Sequence, residues 1–161
     1  MLLNRLRIGN SYDIHQLVVN RPLILGGVLI PFDKGLLGHS DGDALIHTVM
    51  DSLLSAAGLA DIGVLFPPSD SQWKNANSMD LLGIVNELLI GRNATIVNID
   101  STIIAEQPKL SPYYQQMKES IAKGLNLDIA QVGIKSRTNE KLDAVGEGKA
   151  IAVYSTVLIY L

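Results

Sequence analysis

Residues 150–161 read Ala150-Ile151-Ala152-Val153-Tyr154-Ser155-Thr156-Val157-Leu158-Ile159-Tyr160-Leu161, and this stretch decides the fold class. Alternate side chains of an extended chain point to opposite faces. Ile151, Val153, Val157 and Ile159 stand on one face, Ala152, Tyr154 and Leu158 on the other. A strand apolar on both faces is covered on both, by helices or by another subunit. Upstream, Val132 to Ser136 reads as a strand, as does Ala94 to Ala105, which is rich in β-branched residues. Arg5 to Gly9 reads as the first strand. The short apolar runs Leu23 to Leu25 and Val28 to Ile30 flank Gly26-Gly27 as a hairpin. Pro31 to Ser40, carrying Pro, Gly, Lys and Asp, reads as an exposed, mobile loop.

Three helices fit between these strands. Asp41 through Ala57 has helical spacing, with Leu45, Val49, Met50, Leu53 and Leu54 on one stripe and Gly58 as the stop. Ser78 caps a second helix that runs to about Ile90 and closes at Gly91. Ser111-Pro112 starts a third, with Ser as cap and Pro at the first helical position, ending near Gly124. The order β, hairpin, α, α, β, α, β, β predicts an α/β (α+β) fold, a mixed sheet with helices packed against it, in one domain over residues 1–161. Architecture alone implies no activity.

Composition narrows the chemistry. A chain of 161 residues with 47% hydrophobic content buries a real core, which excludes disorder. Only 5% is aromatic, so that core is aliphatic. Net charge is −3, and no basic tail or stripe appears, which argues against nucleic-acid binding. An anionic substrate must then be drawn by local Lys, Arg or metal. Without cysteine there is no disulfide, thiolate zinc site or thiol nucleophile, so any transition metal rests on His and carboxylate. The apolar stretches fall short of a membrane span of about 20 residues. Met1 to Arg7 holds no apolar run long enough for a signal peptide. Asn93-Ala94-Thr95 is therefore a chance sequon. These features predict a soluble, intracellular protein; a plastid protein with its transit peptide trimmed would read the same way.

His15, His39 and His47 are the only histidines, all in the first third. Asp13-Ile14-His15 puts two potential ligands on one side of an extended segment. His47, inside the first helix, can complete a set of two His and one carboxylate with an open position, a common way to hold catalytic zinc without cysteine. Each residue alone is equally an ordinary surface group. Asp43, His47 and Asp51 are four residues apart and share a helical stripe. The two carboxylates either belong to a solvated polar face or orient the imidazole from outside a metal's ligand set. His39-Ser40-Asp41-Gly42-Asp43 leads into that helix. Its start suits an anion, and Ser40 or Asp41 serves as an ordinary N-cap in the same reading.

Five blocks recur in the order and approximate spacing of one enzyme family. They are Asp13-Ile14-His15; His39-Ser40-Asp41-Gly42-Asp43 with His47; Asp61-Ile62-Gly63 with Leu65-Phe66-Pro67; Ile103-Ile104-Ala105 with Pro108-Lys109; and Thr138-Asn139-Glu140-Lys141. From about Leu6 to Leu158 the chain resembles the 2-C-methyl-D-erythritol 2,4-cyclodiphosphate synthases of the non-mevalonate (MEP) pathway of isoprenoid and terpenoid biosynthesis. The resemblance implies a four-stranded mixed β-sheet with helices packed on one face, a small hairpin, and a homotrimer with active sites between subunits. It implies a phosphorus–oxygen lyase. The 2-phosphate of 4-diphosphocytidyl-2-C-methyl-D-erythritol 2-phosphate would attack its own β-phosphate, closing the ring and releasing CMP.

By the same resemblance, Asp13, His15 and His47 hold zinc. Glu140 helps hold a second ion, magnesium or manganese, bridged by the substrate diphosphate. His39 and Thr138 stabilise the transition state. Substrate contacts carry over to Asp13, Ile14, His15, His39, Ser40, Asp61, Ile62, Gly63, Phe66 and Asp70. Further contacts fall on Ala105, Pro108, Lys109, Leu110 and Ser111 around the cytosine, and on Arg137, Thr138, Asn139 and Glu140. The location implied is the bacterial cytoplasm or the plastid stroma.

Departures from the pattern are Gly9-Asn10-Ser11 for the usual G-H-G, Pro68 for an Asp, and Arg137 for a small or hydroxyl residue. Asp143 to Lys149 replaces G-F-T-G-R-x-E-G and contains no arginine for an isoprenyl diphosphate on a threefold axis. Gly148-Lys149-Ala150 is not a P-loop, since Asp143 stands where the first Gly belongs. Two other function classes fit the same residues: a metal-dependent phosphohydrolase using water as acceptor, and a cytidine-nucleotide-binding trimer without turnover.

Overall fold

Strand β1 (Leu6–Val19) is far longer than the Arg5–Gly9 strand expected from the sequence. In the computed structural model, which describes residues 5–161, it pairs antiparallel with β7 (Ala150–Tyr160), from Leu6 opposite Tyr160 to Gln16 opposite Ala150. The first four residues of the predicted 1–161 domain lie outside the described residues. The extra length escaped prediction because Asp13 and His15 occupy inward positions of β1, where apolar residues normally signal a strand. β5 (Thr95–Ile104) pairs antiparallel with the other edge of β7 and parallel with β6 (Val132–Arg137). These four long strands are the ones expected. A fifth, β4 (Lys34–Leu36), joins Leu17–Val19 of β1, giving the order β4-β1-β7-β5-β6. It lies inside the Pro31–Ser40 segment expected to be a loop. β2 (Leu23–Leu25) and β3 (Val28–Ile30) form the predicted hairpin.

Helix α1 (Ala44–Ala56) lies on β1 and β7. All five residues of its predicted stripe are fully buried, facing a core that includes Ile99, Ile103, Ile151, Val153, Val157 and Ile159. The approach is close: a Cβ on Gly9 would stand 1.9 Å from the Ser52 carbonyl oxygen. Buried hydroxyls fasten the layers where the core is not apolar. Ser155 Oγ lies 2.8 Å from both Thr48 Oγ1 and Ser101 Oγ, and Ser52 Oγ donates to the Ser155 carbonyl at 3.0 Å. Burial of hydroxyls is tolerated because each has a partner. α3 (Ser78–Gly91) packs on α1, and α4 (Tyr114–Leu125) on β6 and α3.

Two helix starts differ from expectation for a local reason. Asp43, not Ser40 or Asp41, caps α1, because Gly42 takes a left-handed turn (φ +79°) just before it. Asn77 caps α3, its side chain accepting from Met79 N–H, which leaves the Ser78 hydroxyl free for a distant partner. Ser111 opens a single 3₁₀ turn and α4 follows from Tyr114, ending at left-handed Asn126. Short helices α2 (Ile62–Leu65) and α5 (Asp143–Gly146) complete the chain.

Among the described residues, the opposite sheet face carries no helix of comparable size. On it Ile8 is 72% exposed, Tyr154 50%, Tyr12 49% and Ile14 45%, and the rings of Tyr12 and Tyr154 stand 4.7 Å apart. Of the two covered faces predicted for residues 150–161, this chain covers one along its length and the other only at the α5 end, where Ala150 and Ala152 are buried with Val145 and Ile104. Among the described residues no helix is long and apolar enough to cross a membrane.

Candidate functional site

Because side chains alternate along β1, Asp13 and His15 both face α1, and His47 of α1 faces them. Asp13 Oδ2 lies 2.8 Å from His15 Nε2 and 3.1 Å from His47 Nδ1, and the two ring nitrogens are 3.3 Å apart. A tetrahedral zinc ion with bonds of about 2.1 Å separates its donors by about 3.4 Å. The spacing fits.

The other ring nitrogens show why these donors are available. His15 Nδ1 lies 2.6 Å from the Leu37 carbonyl oxygen, which can only accept, so the neutral ring carries its proton on Nδ1 and offers the Nε2 lone pair to a cation. His47 Nε2 lies 3.0 Å from Ser40 Oγ and 3.1 Å from Ser78 Oγ. With its proton there, Nδ1 is also a bare acceptor. Two lone pairs and a carboxylate then point at one spot, and a cation satisfies all three. Burial works against a charged His15, but hydrogen bonds to Asp13 and Leu37 hold its pKa above the usual value. Burial would raise the Asp13 carboxyl, yet its contacts with the His15 and His47 rings outweigh that effect and hold it well below the ordinary carboxylate range.

The carboxylates flanking His47 on α1 have other tasks. Asp43 is fully buried and accepts from Gly26 N–H at 2.9 Å, Gly27 N–H at 2.6 Å and Ile46 N–H at 3.1 Å. It fastens the hairpin to the start of α1. Desolvation raises its pKa against the pull of those amides. Asp51 is half-buried at the cavity wall and accepts from Ile62 N–H at 2.8 Å, which sets the position of the 61–63 turn. Burial raises its pKa, opposed by that amide and assisted by the charges of Asp61 and Asp13. Neither is the solvated polar face, and neither bonds to the His47 ring.

A cavity of about 330 Å³ opens over the cluster, lined among others by His39, Ser40, Ile62, Gly63 and Phe66. Residues 6–160 match the YgbB family. The chain belongs to it. It is 54% identical over 154 residues to the 2-C-methyl-D-erythritol 2,4-cyclodiphosphate synthase of Synechocystis, covering 96% of each chain. It is 53% identical over 154 residues to the synthase of that name from Clostridium perfringens, covering 96% of this chain and 99% of that one. The fold matches the IspF–CDP complex of Plasmodium falciparum with a TM-score of 0.86 and 39% identity, over 98% of this chain and 97% of that one. It also matches the bifunctional IspDF of Campylobacter jejuni with a TM-score of 0.93 and 42% identity, over 97% of this chain but only 42% of that longer one.

Within this YgbB-family chain the predicted site residues fall into two groups. Asp13, His15, His39, Ser40, His47, Ile62, Gly63 and Phe66 line the cavity. Ile14 points to the opposite face of the sheet, so only its backbone is near them. Asp61 is exposed and caps α2 through Val64 N–H at 3.0 Å, and Asp70 caps the turn at Gln72 N–H at 3.1 Å. The second group gathers at the ends of β5 and β6. Ala105 N–H bonds to the Arg137 carbonyl at 2.9 Å, and Glu106 accepts from Asn139 N–H at 2.8 Å. Thr138 Oγ1 donates to Glu140 Oε1 at 2.7 Å. Glu140 (φ 52°) and Lys141 (φ 64°) both adopt left-handed backbone, a strained turn for side-chain-bearing residues. Pro108, Lys109 and Ser111 belong to the same loop, whereas Ala105 and Leu110 bury their side chains and offer a ligand only backbone. β6 is three strands from β1, about 14 Å at the usual strand spacing. Accordingly Glu140 is not part of the Asp13–His15–His47 group.

Sequence reasoning missed Tyr12, Trp73 and Leu81 as cavity walls. Trp73 stands edge-on to Phe66 at 5.0 Å. Being the single Trp in a chain so poor in aromatics, it carried a legible signal. Ser78 carries only the sequence signal of a local cap, and nothing in its neighbourhood points to His47.

Proposed function

We propose that this chain converts 4-diphosphocytidyl-2-C-methyl-D-erythritol 2-phosphate to 2-C-methyl-D-erythritol 2,4-cyclodiphosphate and CMP. The observation that carries the reading is the convergence of Asp13, His15 and His47 lone pairs beneath a cavity, in a chain sharing half its residues with synthases of that name. The substrate carries its own nucleophile, already ionised at neutral pH, so no strong general base is needed. The difficulty is bringing two anions together. A divalent ion on the three donors, with a second held by Glu140, would screen that repulsion and align attacking and leaving oxygens. We assign zinc to the first position and magnesium or manganese to the second. The turn at Ile62-Gly63, held by Asp51, would position the erythritol part, and His39 and Ser40 would flank the diphosphate. Holding both ends of one flexible molecule adds proximity.

The remaining contacts complete the site in a homotrimer. Arg137, Thr138, Asn139 and Glu140, with Ala105 and Pro108 to Ser111, would enclose the cytidine nucleotide on the cavity of a neighbouring subunit. What supports the trimer is the stretch of apolar sheet face around Ile8, Tyr12, Ile14 and Tyr154 that this chain leaves exposed, since contiguous exposed apolar surface marks an interface. The separation of the two groups of site residues supports it equally. The reading places the enzyme in the bacterial cytoplasm, or in the plastid stroma after loss of a transit peptide.

Phosphorus NMR of the purified protein with the cytidyl substrate and divalent ions tests the reaction. The expected products are the cyclic diphosphate and CMP in equal amounts. Linear phosphates would mean that water is the acceptor and the protein is a phosphohydrolase. Nucleotide binding without any product would make it a binding module.

A further inference from the structure

We infer that Ser78 and Asp41 are positioning residues that fix the tautomer of His47 and so set the affinity of the metal site. The inference rests on the assignment of His47 as a metal ligand above. Ser78 is fully buried at the start of α3, and its Oγ lies 2.5 Å from Asp41 Oδ1 and 3.1 Å from His47 Nε2. A carboxylate has only acceptor sites, and those of Asp41 already face two backbone N–H groups, so Ser78 donates its single hydroxyl proton to it. The lone pair left on Ser78 Oγ then faces His47 Nε2, which must carry the ring proton. Polarity runs one way, from His47 Nε2–H to Ser78 and from Ser78 to Asp41. The ring's other nitrogen, Nδ1, is thereby kept as a lone pair aimed at Asp13 and His15.

Asp41 is itself held in place. Its Oδ2 accepts from Ser78 N–H at 2.8 Å and its Oδ1 from Asp43 N–H at 3.1 Å, so the carboxylate bridges the entry to α1 and the start of α3. Ser40 Oγ also reaches His47 Nε2, at 3.0 Å, but it has no carboxylate to fix its direction; its other contact is a long one from Gly42 N–H at 3.4 Å. A hydroxyl that can turn either way supports either tautomer. The Ser78–Asp41 pair supports one. A carboxylate acting on a metal-binding imidazole through a hydrogen bond raises its basicity as well as orienting it, and losing such a partner typically costs about 10–100-fold in metal affinity.

Two substitutions separate this role from simple packing. Ser78→Ala removes the hydroxyl and keeps the backbone bond to Asp41. Asp41→Asn keeps the shape; with its carbonyl oxygen retaining the shorter bond from Ser78 N–H, its amide N–H takes the Oδ1 position, gives up the longer contact from Asp43 N–H and donates to Ser78 Oγ, turning that hydroxyl toward His47 as a donor and favouring the proton on Nδ1. Zinc affinity is measured by competition with a chromophoric chelator, and the His47 tautomer by nitrogen-15 NMR of the metal-free protein. The expected result is a proton on Nε2 in the wild type. Zinc affinity should fall about 10–100-fold in both variants, with rescue by Ser78→Thr. Affinities within twofold of wild type in both variants would overturn the inference, as would a wild-type His47 with its proton on Nδ1 and none on Nε2. The tautomer is read without metal, so a correct tautomer with no zinc bound at His47 would instead refute the metal assignment.

Discussion

Replacing His47 with alanine is expected to lower turnover about a thousandfold while the domain stays folded. His47 supplies one of three donors and sits on α1, whose hold on the sheet comes from Leu45, Val49, Met50, Leu53 and Leu54 rather than from the imidazole. A bound divalent ion contributes several kcal/mol of charge stabilisation in phosphoryl transfer. At about 1.4 kcal/mol per factor of ten, losing some 4 kcal/mol gives roughly that thousandfold. Steady-state rates beside circular dichroism check the claim. A variant that turns over normally removes His47 from the ligand set. One that unfolds would show instead that the imidazole holds α1 in place.

Mixing two crippled variants is expected to restore about a quarter of wild-type activity. His47→Ala lacks the metal half of the site and Thr138→Ala lacks the half at the end of β6. Each alone should be impaired, the second on the order of 100-fold if Thr138 donates to the developing charge. In a cyclic trimer each interface joins one face of a subunit to a different face of the next. Random assembly from equal amounts therefore pairs an intact His47 with an intact Thr138 at about one site in four. Co-expression or refolding of the mixture, followed by rate measurement, reads this directly. No recovery would mean that each chain completes its own site, against the strand order that sets β6 three places from β1.

Much of the fold was legible because local pattern and tertiary environment agreed. β7 alternates apolar residues on both faces, and the α1 stripe is helical and wholly buried. The second half of β1 does not show as a strand in the sequence because function overrides pattern there: Asp13 and His15 take the inward positions. β4 is three residues long with a central glycine, too little for periodicity to register. The start of α1 offered Ser40, Asp41 and Asp43 as caps, and only the left-handed turn at Gly42 selects among them.

The candidate site divides in the same way. The D-x-H spacing foretold that Asp13 and His15 share a side, since alternation along a strand is a local property. That His47 meets them depends on α1 crossing β1, which the sequence does not spell out; the family resemblance did. Ser78 could not be found from its neighbours. Its hydroxyl serves a ring 31 residues away, and the signals for an ordinary helix start are the same whether or not it does.

Anomalous diffraction at the zinc edge, on crystals of the protein grown with zinc, tests the account most directly. It predicts one strong peak at about 2.0–2.2 Å from Asp13 Oδ2, His15 Nε2 and His47 Nδ1. A zinc-loaded, active enzyme with its peak elsewhere, and only water or a proton among those three side chains, would contradict it.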